Sequence, residues 1–259
     1  MSKNNNQKNI STLSFFGGAE SVTGANFLLE DTGGETKILI DCGFTQGGKI
    51  SEDINREDFG YDPSAIDFLF VTHAHIDHIG RIPLLVQRGF HGVIYSTPAT
   101  RELSEIMLID SMGVLAKEAK RDNLPPLYEK KDVGKALSLW KTISYHEKVL
   151  ILDTFEVFFK DAGHILGSAI IELTHTKTGG SIAFTGDLGN SPSPLQRDTE
   201  VVDDVDYLVI ESVYGDRVHQ QVEERTNLLY RVIEATISRG GTLMIPAFSM
   251  ERTQIILYV

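Results

Sequence analysis

The chain has 259 residues, with 24 Lys and Arg against 36 Asp and Glu, a net charge of −12, 41% hydrophobic residues and a single cysteine. A chain of this length buries about three quarters of its unfolded surface and builds a core without covalent staples. The composition excludes an internal disulfide, a bilayer-spanning apolar run and a broad basic surface that tracks a nucleic-acid backbone, although a bound cation supplies local positive charge that a residue count misses. The lone cysteine points to a reducing, cytoplasmic setting. The polar start has no apolar stretch of a secretory signal, and residues 1–10 read as a disordered tail.

In chain order, short apolar runs ending in turn residues predict strands over Ser11–Phe16, Asn26–Glu30, Thr36–Asp41 and Asp67–Thr72. Gly33-Gly34 reads as a hairpin turn between the second and third. The glycine-rich stretch Phe15–Gly24 has two readings, a loop whose amides face a phosphate or a tight turn that needs positive φ. Cys42 follows Ile38-Leu39-Ile40 and reads as a small buried packing residue. Helices are predicted from about Ile79 to Arg88, from Pro98 to about Lys120 and from Lys131 to Thr142. The second starts with Thr97 as N-cap and proline at its first position. The run Lys117–Arg121 reads as its solvated end.

A second block of strands follows over Val149–Leu152, Phe155–Lys160, Ala169–Thr174 and Ser181–Thr185, with Gly179-Gly180 as a hairpin turn. After Pro192, Pro194 and the acidic linker Glu200–Asp204 come a strand over Tyr207–Glu211, a helix over Glu223–Arg239 and a strand over Thr242–Ile245. Such a unit builds parallel sheets. The last segment, Met250–Val259, reads as a helix just begun, with no cap after it. The chain is therefore expected to be a fragment of a longer protein, with one domain over residues 11–205 and an incomplete one over 206–259.

The chemistry is concentrated in Thr72-His73-Ala74-His75-Ile76-Asp77-His78-Ile79-Gly80, directly after the apolar run Phe68–Val71. His-x-His puts two imidazoles on one side of an extended segment, and Asp77-His78 add a carboxylate and a third imidazole as the chain turns into a helix. Imidazole and carboxylate are zinc ligands, and so dense a cluster points to metal. His164 lies in a glycine-flanked loop, Ala162–Ser168, and Asp187 just past a strand in Phe184–Gly189. Asp41 has the same strand-end placement. Taken alone, each of these three reads as a structural or turn residue.

Together, the order Asp41, His73-x-His75-x-Asp77-His78, His164, Asp187 resembles the metallo-β-lactamase superfamily. Within it the chain is similar to the β-CASP branch of RNA- and DNA-processing nucleases. Val71–Pro83, Ile210–Arg217 and Gly241–Gln254 carry that likeness, which covers about Leu13 to Val259. The resemblance implies an αββα sandwich of two mixed sheets with the metal site at one edge between them, followed from residue 206 by the start of a β-CASP domain. It also implies two zinc ions, with His73, His75 and His164 holding the first, Asp77 and His78 the second, and Asp187 bridging them. Manganese or iron would suit the same ligands.

The activity implied is phosphodiester hydrolysis of RNA by a hydroxide between the metals, with Asp41 fixing a ligand histidine through its other ring nitrogen and Glu211 orienting a general-acid histidine. That histidine, and one more completing the second metal site, are expected after Val259, so the second site of this chain is expected to be incomplete and the chain alone inactive. His91, His146, His175 and His219 read as solvated or structural. Ser249 and Arg252, near the start of the last helix, are weak candidates for phosphate contact. The alternatives are a related hydrolase of DNA, a thioester or a lactone, and a metal-free subunit of an RNA-processing complex. No membrane partner is expected.

Overall fold

The computed structural model describes residues 11–31, 36–218, 222–248 and 250–258. The expected N-terminal tail, the Gly33-Gly34 turn, His219 and Ser249 lie outside the described residues. The elements are β1 (Thr12–Gly17), β2 (Asn26–Glu30), β3 (Lys37–Ile40), α1 (Lys49–Arg56), β4 (Phe68–Phe70), α2 (Ile76–Ile79), α3 (Ile82–Gln87), β5 (Val93–Ser96), α4 (Pro98–Asp122), α5 (Lys130–Ser138), β6 (Trp140–Thr142), β7 (Val149–Ile151), β8 (Phe155–Asp161), β9 (Ala169–His175), β10 (Ser181–Phe184), β11 (Tyr207–Val209), α6 (Val222–Ser238) and α7 (Arg252–Tyr258).

Two mixed sheets form. The first has the order β1-β2-β3-β4-β5-β6, antiparallel up to β3 and parallel from β3 to β6. The second has the order β11-β10-β9-β8-β7, antiparallel except for the β10–β11 pair. They face each other across a core of Ile38, Ile40, Phe68 and Phe70 from the first sheet and Phe155, Val157, Phe159, Ile171 and Phe184 from the second. Strand β8 shows why: Phe155, Val157 and Phe159 alternate inward while Glu156, Phe158 and Lys160 turn out, the period-2 pattern of an antiparallel strand with one face packed. Phe70 lies 5.4 Å from the ring of Tyr95 and 6.3 Å from that of Phe159, and burying one such side chain is worth roughly 1.5–3 kcal/mol.

The other face of the first sheet, with Leu39, Leu69 and Ile94, packs on Leu84, Leu85, Leu108, Val133 and Ala136 of the helices. Strand β4 is therefore buried on both faces and reads as an unbroken apolar run. Ile170 and Ala183, on the outside of the second sheet, pack against Leu188, Val202 and Val205. The sandwich flanked by helices is thus the expected architecture. No described helix is long and apolar enough to cross a membrane.

Several expectations are corrected. The helix expected from Ile79 to Arg88 is two short helices, α2 and α3, and the first begins at Ile76, so Asp77 and His78 sit on a helical turn. The helix expected to reach Thr142 ends at Ser138, and Trp140–Thr142 pair with β5. Trp140 is buried and its indole N–H donates to Ser96 Oγ at 2.8 Å, a tertiary contact no local pattern reveals. Strand β5 and helix α1 have no counterpart in the sequence reading. Thr242–Ile245 forms no strand, and Met244 is 87% exposed, without the neighbouring strand a ladder requires. β11 pairs in parallel with β10 and joins the second sheet.

Candidate metal centre

Asp41, His73, His164 and Asp187 each stand a few residues or fewer past the C-terminal end of a strand. β3 delivers Asp41, β4 leads through Val71 and Thr72 to His73, β8 leads to His164 and β10 to Asp187. The two sheets are tied together at this point, where the Ala169 amide donates to Thr72 O at 2.8 Å. The segment carrying His75, Asp77 and His78 is held through its backbone. Ala25 N donates to Asp77 O at 3.0 Å, Phe44 N to Ile76 O at 3.0 Å and Cys42 N to His78 O at 2.8 Å. A Cβ on Gly43 would lie 1.5 Å from Asp77 O, so only glycine allows this approach. Gly186, at φ +55°, likewise presses on Thr72, with its ideal Cβ position 2.6 Å from the Thr72 Cβ.

Four side chains converge. His73 Nε2 is 3.0 Å from His75 Nδ1, which is 3.1 Å from His164 Nε2. Asp187 Oδ2 is 3.5 Å from His164 Nε2 and 3.8 Å from His73 Nε2. One ligand atom from each residue lies within 4.8 Å of all the others. Three imidazoles and a carboxylate aimed at one point form a donor set that suits a divalent cation.

Asp41 and Thr72 set the orientation of the histidines behind this cluster. Asp41 is fully buried in a left-handed backbone conformation, φ 56°, which aspartate tolerates better than most residues. Its Oδ1 accepts from Thr72 N at 2.8 Å and its Oδ2 from Thr72 Oγ1 at 2.8 Å. The hydroxyl has one proton and gives it to the carboxylate, so at 3.0 Å it accepts from His73 Nδ1. His73 Nε2 then carries its lone pair toward the centre. His78 Nδ1 donates to Asp41 Oδ2 at 2.7 Å, leaving Nε2 at 3.3 Å from Asp187 Oδ1 and 3.9 Å from Asp77 Oδ2.

Burial, then the neighbouring imidazoles, holds His73 well below the usual histidine range, and burial with the same neighbours lowers His75 to about 4. Burial also lowers His164. These three are therefore neutral near pH 7, the state a metal ligand needs. Burial alone would depress His78 too, but the Asp41 and Asp187 carboxylates outweigh it and hold the ring well above its ordinary value. Burial raises Asp77, whereas in Asp187 the proximity of His78 overcomes burial and lowers the pKa.

Glu211 lies at the same place: its Oε1 accepts from Leu188 N at 3.0 Å, its Oε2 from Val213 N at 3.1 Å, and it lines a cavity of about 490 Å³ with His78 and Asp187. Gly18 to Val22 of the glycine-rich loop line that cavity as well. Gly18 and Gly24 have positive φ, the conformation anticipated for a tight turn. Arg252 is exposed at the start of α7 and lines neither this cavity nor the larger one beside α4. Cys42 is a buried packing residue, its thiol pushed up to about 12 by burial. His146 pairs with Glu200, and His175 is buried 3.5 Å from Asp31. The sequence reading missed Thr72 as a site residue, and its only signal was its place immediately before His73.

A two-sheet α/β sandwich with histidine and aspartate donors gathered at its strand ends defines a metal-binding protein. The chain belongs to the metallo-beta-lactamase superfamily, whose family model matches residues 23–210. Among its relatives, Ribonuclease TTHA0252 of Thermus thermophilus is 37% identical over 244 residues, 94% of this chain and 53% of that protein. RNase aCSPSF2 of Saccharolobus solfataricus is 32% identical over 256 residues, 96% of this chain and 49% of the relative. Transcription termination factor FttA of Methanosarcina mazei is 35% identical over 254 residues, 94% of this chain and 38% of the relative. The chain thus spans about half the length, or less, of these relatives.

Proposed function

We propose that this chain is the metal-binding part of a ribonuclease of the β-CASP branch, hydrolysing RNA phosphodiesters with two zinc ions. The observation that carries the reading is the convergence of His73, His75, His164 and Asp187 within 4.8 Å. Relatives named as ribonucleases supply the substrate class. His73, His75 and His164 would hold one cation and Asp77 with His78 the other. Asp187 would bridge, since its Oδ2 faces His164 and its Oδ1 faces His78. When bound, such cations lower the pKa of water and offset the negative charge that gathers on phosphorus.

The chain's own residues do the rest. Asp41 accepts the Nδ1 proton of His78 and so presents Nε2 as a lone pair once that ring is neutral. Thr72 does the same for His73. Gly18–Val22 line the cavity beside His78 and Asp187, where their amides would take a phosphate oxygen. Glu211 braces the Leu188 amide one residue beyond Asp187, and would orient the proton donor to the leaving oxygen.

The test is cleavage of end-labelled single-stranded RNA by the metal-loaded full-length protein, beside its chelated form and Asp77→Ala. Cleavage lost in both controls supports the reading, and fragment sizes separate endonuclease from exonuclease action. A folded, metal-replete protein that leaves RNA intact overturns it and directs the search to DNA and small esters.

A further inference from the structure

We propose that Arg81 is a positioning residue for the Asp77–His78 half of the metal centre, holding α2 in place by gripping the strap Glu57–Tyr61. The proposal rests on the two-cation reading above. Helix α2 carries both residues and has only four positions, too few to hold its own shape. Its shape is imposed from both ends. On one side, Gly43 and the amides of Ala25 and Phe44 press on Ile76 and Asp77. On the other, the helix closes at Gly80, where a Cβ would meet the Phe44 ring at 2.3 Å, and Arg81 follows.

Arg81 is tied to this loop by its backbone. Its amide donates to Cys42 O at 2.9 Å, and the Cys42 amide donates to His78 O at 2.8 Å, so Arg81 and His78 hang on one residue. The Arg81 side chain anchors elsewhere. Nη2 donates to Glu57 O, and the guanidinium carbon lies 4.2 Å from the centroid of the Phe59 ring. The strap is itself fixed, with Tyr61 4.9 Å from the Phe16 ring in β1 and accepting from Asn26 Nδ2 at 3.1 Å. Nε of Arg81 is buried without a hydrogen-bond partner in the described structure. A guanidinium held by a carbonyl and a ring, with one buried N–H unpaired, costs stability at that site. What the arrangement secures is the angle at which the chain leaves α2. A planar fork that also stacks on a ring does this, and an ammonium group does not.

The experiment is a stepwise Co²⁺ titration of the metal-free full-length protein, read by visible absorption and calorimetry, with the thermal midpoint of each metal-free variant. The set is wild type, Arg81→Leu, Arg81→Lys and Arg88→Leu. The last removes an exposed ion pair to Asp58 of the same strap and serves as control. Wild type takes up two ions. Arg81→Leu keeps the first step and weakens the second roughly ten- to hundredfold, the range typical of groups that orient a ligand. Arg81→Lys falls with Arg81→Leu, and Arg88→Leu with wild type. An unchanged second step in Arg81→Leu overturns the proposal. So does equal weakening of both steps with a lowered midpoint, which is plain structural damage, and so does a single step in wild type. RNA cleavage by wild type is assayed separately, so a failed ribonuclease reading leaves the metal titration to decide on Arg81.

Discussion

The sandwich and the segment after it treat their apolar residues in opposite ways. In the sandwich, Ile38, Leu39, Ile40, Leu69 and Phe70 are wholly buried, and the ligands stand on loops fixed by the ends of those strands. Past residue 220, Ile237 is 71% exposed, Phe248 80% and Leu257 81%, while Met250 packs against the core between the first sheet and its helices. The difference teaches where the geometry of the centre comes from. Hydrogen bonds around Asp41 and Thr72, and to the carbonyls of Ile76, Asp77 and His78, set the ligands, and all lie within the sandwich. Substitutions in the two regions should therefore differ in kind.

The largest effect is expected at the ligands. Asp77→Ala should lower RNA cleavage by more than roughly 100-fold, beyond the range for a residue that only supports a ligand, as measured at saturating metal. Gly43→Ala comes next. Its methyl would overlap the Asp77 carbonyl, and the variant should lose about 3 kcal/mol or more in chemical denaturation. Near-normal stability there would mean that the loop is not held by that contact. Asp41→Asn keeps the backbone preference but removes the charge facing His78, and should weaken metal binding roughly 10- to 100-fold in a competition assay.

A smaller effect follows from protonation. In metal-free protein, His75 titrates at about 4 against an unfolded value near 6.5. Its folded pKa is depressed, so the unfolded chain binds more protons in that window and stability falls as the pH drops from about 6.5 toward 4. His73 and His164 act in the same direction. His78, raised, acts against them, its contribution being present in acid and lost as pH rises through its folded value. The chelated protein should therefore show a falling thermal midpoint between pH 6.5 and 4, and a saturating metal should flatten the upper part of that slope. The smallest change is expected outside the sandwich. Met244→Ser, at an 87% exposed position, should alter stability by no more than about 0.5 kcal/mol, and a larger loss would show that the later segment is coupled to the core.

Much of the site was legible because its ligands are few, chemically distinctive and closely spaced. His73, His75, Asp77 and His78 sit within six positions, and β3, β4, β8 and β10 were each announced by a short apolar run. Thr72 was not legible as an orienting group, because a threonine before a histidine is unremarkable until Asp41 is brought across from the neighbouring strand. Gly43 was not legible either, since the carbonyl it admits belongs to a residue thirty-four positions later. Trp140 was read as helix because its partner, Ser96, is remote in sequence.

What the sequence determined by itself was local: strands where apolar runs end in turns, an N-cap at Thr97, and the imidazoles and carboxylates that can take a metal. Tertiary structure alone decided which of these meet. It split the expected helix at Gly80, enrolled Trp140–Thr142 as a strand, left Thr242–Ile245 unpaired, and set His164 and Asp187 against His73 and His75 across two sheets. Periodicity reports a residue's relation to its near neighbours, whereas hydrogen-bonded sheet edges and converging ligands depend on residues scores of positions away, joined only when the core closes.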